Sequence, residues 1–143
     1  MARSLTIDAS VFLSALSPAE SHSQESLRLL EALRDDTRLV ILPTLVKPEI
    51  AGALSRLTGD PRLAREAAEM KYLAGPVLFV DLDRSLADEA AELAVSTGLR
   101  GADAVYAATA RRFDALLVTL DGDQRRRLPT DTTAVRPGEV VLG

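Results

Sequence analysis

Short apolar runs alternate along this chain with segments whose apolar residues recur at helical spacing. Ser4–Asp8 reads as a first strand, followed at once by a helical start over Ala9–Leu16. A second helix, Glu20–Arg34, carries Leu27, Leu30 and Leu33 on one face. Leu39–Leu42 predicts a second strand closed by Pro43, and Thr44 stands as the N-cap of a helix running to Leu57. Pro48 lies early in that helix, where its missing N–H does limited harm. Thr58-Gly59-Asp60-Pro61 ends it and opens a helix over Pro61–Leu73, with Gly75-Pro76 as the stop. Val77–Val80 reads as a third strand and Ser85–Ser96 as a helix with Leu86, Ala90, Leu93 and Ala94 inward. Ala102–Arg112 is a further helix, Ala115–Leu120 a strongly apolar strand, and Thr133–Val135 a weak last one.

Strands separated by helices imply right-handed crossovers and an α/β fold whose parallel sheet is covered on both faces. Ala115–Leu120 fits a doubly covered central strand, being almost continuously apolar. No repeat, low-complexity tract or linker interrupts the pattern, so residues 1–143 are expected to form a single domain. The longest uncharged stretch, Ala9–Ala19, is far shorter than the roughly 18 apolar residues of a membrane helix. Asp8 interrupts the place where the apolar region of a signal peptide would run. A soluble, cytoplasmic protein without membrane contact is expected.

Composition narrows the chemistry. The chain has no cysteine and one histidine, which removes disulfides, thiol catalysis, iron–sulfur clusters and nearly all zinc sites. His22 stands among Ser21, Ser23 and Gln24 and reads as a surface residue. A net charge of −4 argues against nucleic-acid binding by bulk attraction. The local picture differs, because fifteen of the seventeen basic residues are arginines, with Arg100, Arg111, Arg112 and the run Arg125, Arg126, Arg127 clustered late. Guanidinium forks suit phosphates. An aromatic content of 3% speaks against a base-stacking platform, and no glycine-rich phosphate loop is present. Phe12, Phe79, Tyr106 and Phe113 are assigned to the core.

Carboxylates carry the remaining signal. In parallel sheets, ligands bind beyond the carboxyl ends of the strands. Asp8 follows the first strand, and Asp121 with Asp123 follows Ala115–Leu120. Glu49 lies in the first turns of the helix after strand two, with Gly52 and Ala53 leaving room beside it, and Asp103 begins the helix before the Asp121 strand. Each has a plainer role open to it: Asp8 and Asp103 as helix caps, Asp121-Gly122-Asp123 as a turn, Glu49 as a solvated position. Gathered at one rim, they would raise one another's proton affinity unless a cation compensated, and a hard divalent ion with oxygen ligands suits them.

Four segments then carry a resemblance: TIDASVFLSAL (Thr6–Leu16), PTLVKPEIAGAL (Pro43–Leu54), GLRGADAVYAATA (Gly98–Ala110) and LLVTLDGDQRRR (Leu116–Arg127). In order and spacing they resemble the four acidic motifs of PIN-domain ribonucleases, nearest to the VapC-type toxins of toxin–antitoxin pairs. The resemblance implies a PIN-like three-layer fold with sheet order 3-2-1-4-5 and an Mg2+- or Mn2+-dependent endoribonuclease. It implies Asp8, Glu49, Asp103 and Asp121 as catalytic and metal-binding acids, with Asp123 as an accessory ligand. Thr119 matches a hydroxyl residue supporting the last acid, and Ser10 is given the same role toward Asp8. It further implies an RNA substrate, a cognate antitoxin that silences the site, and a homodimer. Pro48 beside Glu49 departs from the family pattern.

With no histidine, cysteine or lysine pair to act, the attacking group is expected to be metal-activated water, leaving a 5′-phosphate and a 3′-hydroxyl. An acidic pocket does not attract RNA, so arginines must supply the counter-charge. Arg100 and Arg125, Arg126 and Arg127 are nearest in sequence to the acids. Two other classes compete: a catalytically idle interaction module on the same fold, and a phosphoryl-acceptor signalling domain. The second would want a lysine late in the chain, whereas the lysines here are Lys47 and Lys71.

Overall fold

The computed structural model describes residues 2–142. Five parallel strands form one sheet in the order β3-β2-β1-β4-β5. They are β1 (Leu5–Ile7), β2 (Val40–Pro43), β3 (Val77–Val80), β4 (Leu116–Val118) and β5 (Ala134–Val135). The seven flanking helices are α1 (Ala9–Ala15), α2 (Ser23–Ala32), α3 (Val46–Thr58), α4 (Pro61–Glu69), α5 (Arg84–Thr97), α6 (Gly101–Arg112) and α7 (Gly122–Arg127). The expected α/β class and strand order are those observed. The order reverses at β1, so the rim between β1 and β4 is the switch point where such sheets build ligand sites.

Two elements fix that rim. β1 is fully buried and pairs β4 in the register Leu5–Leu116, Thr6–Leu117 and Ile7–Val118. Across one face lies α6, which packs against β1, β2 and β4 and is buried without a break from Ala104 to Ala110. A helix apolar all round belongs inside a protein, and the small alanines let its backbone approach the sheet closely. Tyr106, the largest side chain on this helix, is fully buried among them.

Several boundaries depart from expectation for identifiable reasons. The second helix begins at Ser23 rather than Glu20, because the Glu20 carboxylate accepts the His22 backbone N–H and the Ser14 hydroxyl. Its buried face is Leu29, Leu30 and the capping Leu33; Leu27, expected inside, is 43% exposed. Thr44 does not cap α3. Its hydroxyl instead accepts the Leu82 N–H after β3, and the helix starts at Val46. Pro48 is then the third helical residue, where an N–H has no intrahelical partner in any case, and the first full-turn bond is Glu49 N–H to Leu45. α4 stops at Glu69, not Leu73, because Met70 turns left-handed at φ 60°. Phe79 and Phe113, assigned to the core, are each 37% exposed. Phe79 lies on edge strand β3 with the Lys47 ammonium 4.7 Å above its ring. No helix among the described residues is long and apolar enough to cross a membrane.

Candidate active site

At the carboxyl rim of β1 and β4 opens a cleft of about 530 Å3, lined by Asp8, Glu49, Asp103 and Asp121 together with Arg56 and Arg100. The four acids reach it from four different elements, because β1, α3, α6 and β4 all end or begin at this rim.

Asp8 occupies the N-cap position of α1 in extended conformation, yet its carboxylate caps nothing. Oδ2 accepts the Ser10 hydroxyl at 2.9 Å and the Thr119 hydroxyl at 2.8 Å. Those hydroxyls in turn accept backbone donors from the β4 rim, Leu120 N–H onto Ser10 and Asp121 N–H onto Thr119. The result is a relay that ties the end of β1 to the end of β4. Burial pushes the Asp8 carboxyl up to about 6 from its ordinary 3.8; the two hydroxyl bonds oppose the rise, and the charges of Asp103 and Glu49 add to it.

Glu49 is placed by a partner unread in the sequence. The Tyr106 hydroxyl donates to Glu49 Oε1 at 2.6 Å. Tyr106 follows Asp103 by three residues, so both share one face of α6, and that spacing was the available signal. Burial first, and then the Glu49 hydrogen bond, raises the phenol well above its usual range, which keeps it a donor.

Asp103 and Asp121 are bridged. Arg100 Nε donates to Asp103 Oδ2 at 3.1 Å and Arg100 Nη2 to Asp121 Oδ2 at 2.9 Å. Asp121 also fulfils the plainer role, since its Oδ1 caps α7 through the N–H groups of Asp123 and Gln124. The expected turn at Asp121-Gly122-Asp123 is thus the start of a short helix. Gln124, fully buried, reaches from α7 to the Asp103 carbonyl at 3.4 Å and fastens the two rims.

Asp123 does not join the cluster. Its carboxylate pairs with Arg127 at 3.0 Å and Arg126 at 3.4 Å, outside the cleft lining. Arg125 lies toward Glu139, at 3.8 Å. All three arginines stand in the last turn of α7, where positive charge complements the helix dipole. Of the late arginines, Arg100 alone enters the cleft.

Four carboxylates facing two guanidiniums leave a negative pocket whose donors are all oxygens, a set that fits a hard divalent ion. The raised proton affinity of Asp8 reflects its burial first, with the charges of Asp103 and Glu49 adding to it. As the side chains stand, no three His, Cys, Asp or Glu groups among the described residues converge enough to hold an ion. Arg100 supplies the positive charge between Asp103 and Asp121 instead.

Sheet order, switch-point cleft and converging acids define an acid-rimmed, parallel α/β domain. The model of the PIN domain matches residues 5–127, and the chain belongs to that family. Solved structures with the same fold include VapC20 from Mycobacterium tuberculosis, a sarcin–ricin loop cleaving toxin. It has a TM-score of 0.72 and 22% identity over 85% of this chain and 92% of that one. FitAcB from Neisseria gonorrhoeae has a TM-score of 0.69 and 20% identity over 95% and 99% of the two chains. VapBC2 from Rickettsia felis, bound to a DNA fragment from its promoter, has a TM-score of 0.68 and 15% identity over 92% and 97%. At these identities the likeness is one of fold. No curated protein sequence matches the chain.

Proposed function

We propose that this PIN domain is an Mg2+- or Mn2+-dependent endoribonuclease that acts as a toxin and is silenced by a cognate antitoxin. The observation that carries the reading is the convergence of Asp8, Glu49, Asp103 and Asp121 on one cleft of a PIN fold. A toxin–antitoxin complex from Klebsiella pneumoniae among the folds it resembles supports the partner.

In this reading the four carboxylates would hold the ion through oxygen donors. When bound, the ion would polarise the phosphodiester and make a water acidic enough to attack it. Ser10 and Thr119 aim Asp8, and Tyr106 aims Glu49. Arg100 must leave Asp103 and Asp121 before both can serve as ligands, and its guanidinium then faces incoming phosphate at the mouth. Arg125, Arg126 and Arg127, outside the cleft and facing Glu139 and Asp123, would add positive charge for RNA beyond its mouth. An inhibitor entering so negative a pocket would use a basic side chain, competing with the metal. A homodimer acting in the cytoplasm completes the proposal.

The test is cleavage of a mixed RNA pool by the purified protein with Mn2+, with EDTA, and with Asp8→Asn or Asp103→Asn. Metal-dependent cleavage lost in both variants, and silencing by the product of a short neighbouring reading frame, are expected. Full activity in both variants would refute the site. A protein that expresses without toxicity, purifies without a partner and cuts no RNA with Mn2+ would be a PIN-fold binding module instead.

A further inference from the structure

Two arginines line the acidic cleft, and the structure treats them differently. Arg100 is spent on Asp103 and Asp121. Arg56, in the last turn of α3, is exposed and forms no ion pair or side-chain hydrogen bond among the described residues. Its position alone would suit the helix dipole. Its guanidinium, however, folds back along the helix to lie over Gly52, and the residue lines the cleft. A Cβ built on Gly52 would stand 3.3 Å from Arg56 Nη1. Glu49, Gly52 and Arg56 fall on one face at helical spacing, so Arg56 lies about 10 Å along the axis from the acid. The absent side chain at Gly52 leaves a shelf, and the guanidinium over it lines the same cleft as the carboxylates with no ion pair among the described residues.

We infer that Arg56, shelved on Gly52, is an RNA-phosphate contact of the cleft, gripping a phosphate next to the scissile one. The inference rests on the ribonuclease reading and adds a substrate-positioning residue to it. A negative pocket repels a polyanion, so a free cation at the right remove from the acids lowers that penalty without competing for the metal's ligands. The planar fork matches phosphate oxygens in a way an ammonium does not. Arg56 touches a non-reacting phosphate, so it should govern substrate capture rather than the chemical step.

The experiment measures cleavage of a short single-stranded RNA with Mn2+ across a salt series, for wild type, Arg56→Gln, Arg56→Lys and Gly52→Leu. Arg56→Gln is expected to raise KM about tenfold, as loss of a charge-assisted hydrogen bond implies, with kcat within about twofold. The slope of log(kcat/KM) against log salt should flatten by about 0.7, one phosphate contact on a single strand. Arg56→Lys should keep that slope while recovering only part of KM. Gly52→Leu, which displaces the guanidinium but keeps its charge, should raise KM as Arg56→Gln does. Melting in EDTA checks that each variant folds, and the lysine variant carries the test should the glutamine variant not. An unchanged KM and salt slope in Arg56→Gln would overturn the assignment while leaving the ribonuclease reading intact. A loss confined to kcat would also overturn it, by placing Arg56 at the reacting phosphate. A wild-type protein that neither binds nor cuts RNA would bring down both.

Discussion

Replacing Asp8 by asparagine should stabilise the metal-free protein, by an amount that depends on pH. An acid held near 6 in the folded state and 3.8 in the unfolded chain binds its proton more tightly when folded. Its contribution to stability is therefore fully present below about pH 3.8 and is lost as pH rises through 6. The gap corresponds to about 3 kcal/mol above pH 7, at 1.36 kcal/mol per pH unit. Asparagine is neutral throughout, and its amide oxygen can still accept from Ser10 and Thr119. Those bonds are weaker to a neutral acceptor, so a net gain of about 2 kcal/mol is expected at pH 7.5 in EDTA. For a chain of this length that is a rise in melting temperature of about 7 °C. At pH 4 the two proteins should melt within about 2 °C of each other. Saturating Mn2+ should invert the ranking, because ion binding stabilises only the protein that keeps the ligand. Calorimetric melts of both proteins at the two pH values decide the matter. An Asp8→Asn gain equally large at pH 4, or a loss at pH 7.5 in EDTA, would refute the account of a crowded, desolvated carboxylate.

Other substitutions probe the supports of the site. Tyr106→Phe leaves Glu49 without its buried donor; stability should fall by about 1–2 kcal/mol, and the Mn2+-induced rise in melting temperature should shrink. Thr119→Val keeps the shape but removes one of the two hydroxyls holding Asp8 and the acceptor of Asp121 N–H. It should destabilise the protein by about 1.5–3 kcal/mol and move the acid limb of the cleavage profile to higher pH, which a pH–rate series would show. Arg100→Gln removes the cation that Asp103 and Asp121 share, so Mn2+ should bind several-fold more tightly by calorimetric titration while RNA capture weakens. Unchanged Mn2+ affinity would show that Arg100 does not compete with metal.

The sheet was legible because its strands are short apolar runs bounded by proline, glycine and acids. What sequence reading missed were competitions between local partners. Thr44 looks like a cap, but the chain returning from β3 offers it the Leu82 N–H, a partner 38 positions away that no local pattern announces. Leu27 shares a helical stripe with Leu30 and Leu33, but the buried face is centred on Ser26, Leu29, Leu30 and Leu33, which leaves Leu27 at its margin. Phe79 is apolar and sits on a strand, but that strand is the edge. The acids were found from their places after strands and from the motif resemblance, whereas their supports divide. Ser10 stands two residues from the Asp8 carboxylate it donates to, whereas Thr119, expected to support Asp121, donates to Asp8 across 111 positions and takes only the Asp121 backbone N–H. Tyr106 is the core residue its sequence position indicates, but it also serves Glu49 from another helix across 57 positions, which no local pattern announces. Asp123 follows the same logic in reverse, since proximity in sequence to Asp121 did not bring it to the cleft.

The relay between Asp8 and Thr119 spans 111 positions of the chain, with the parallel pairing of β1 and β4 beside it. Contacts of such separation raise the contact order and form late, after loop closure across most of the molecule. β1, α3 and β2 can associate while a chain is still being made, but Asp8 lacks its Thr119 bond and Asp121 its place until β4 inserts. A growing chain would therefore carry Asp8, Glu49 and Asp103 before the cleft exists, and on the proposed nuclease reading activity would arrive in one step as the central strand pair closes.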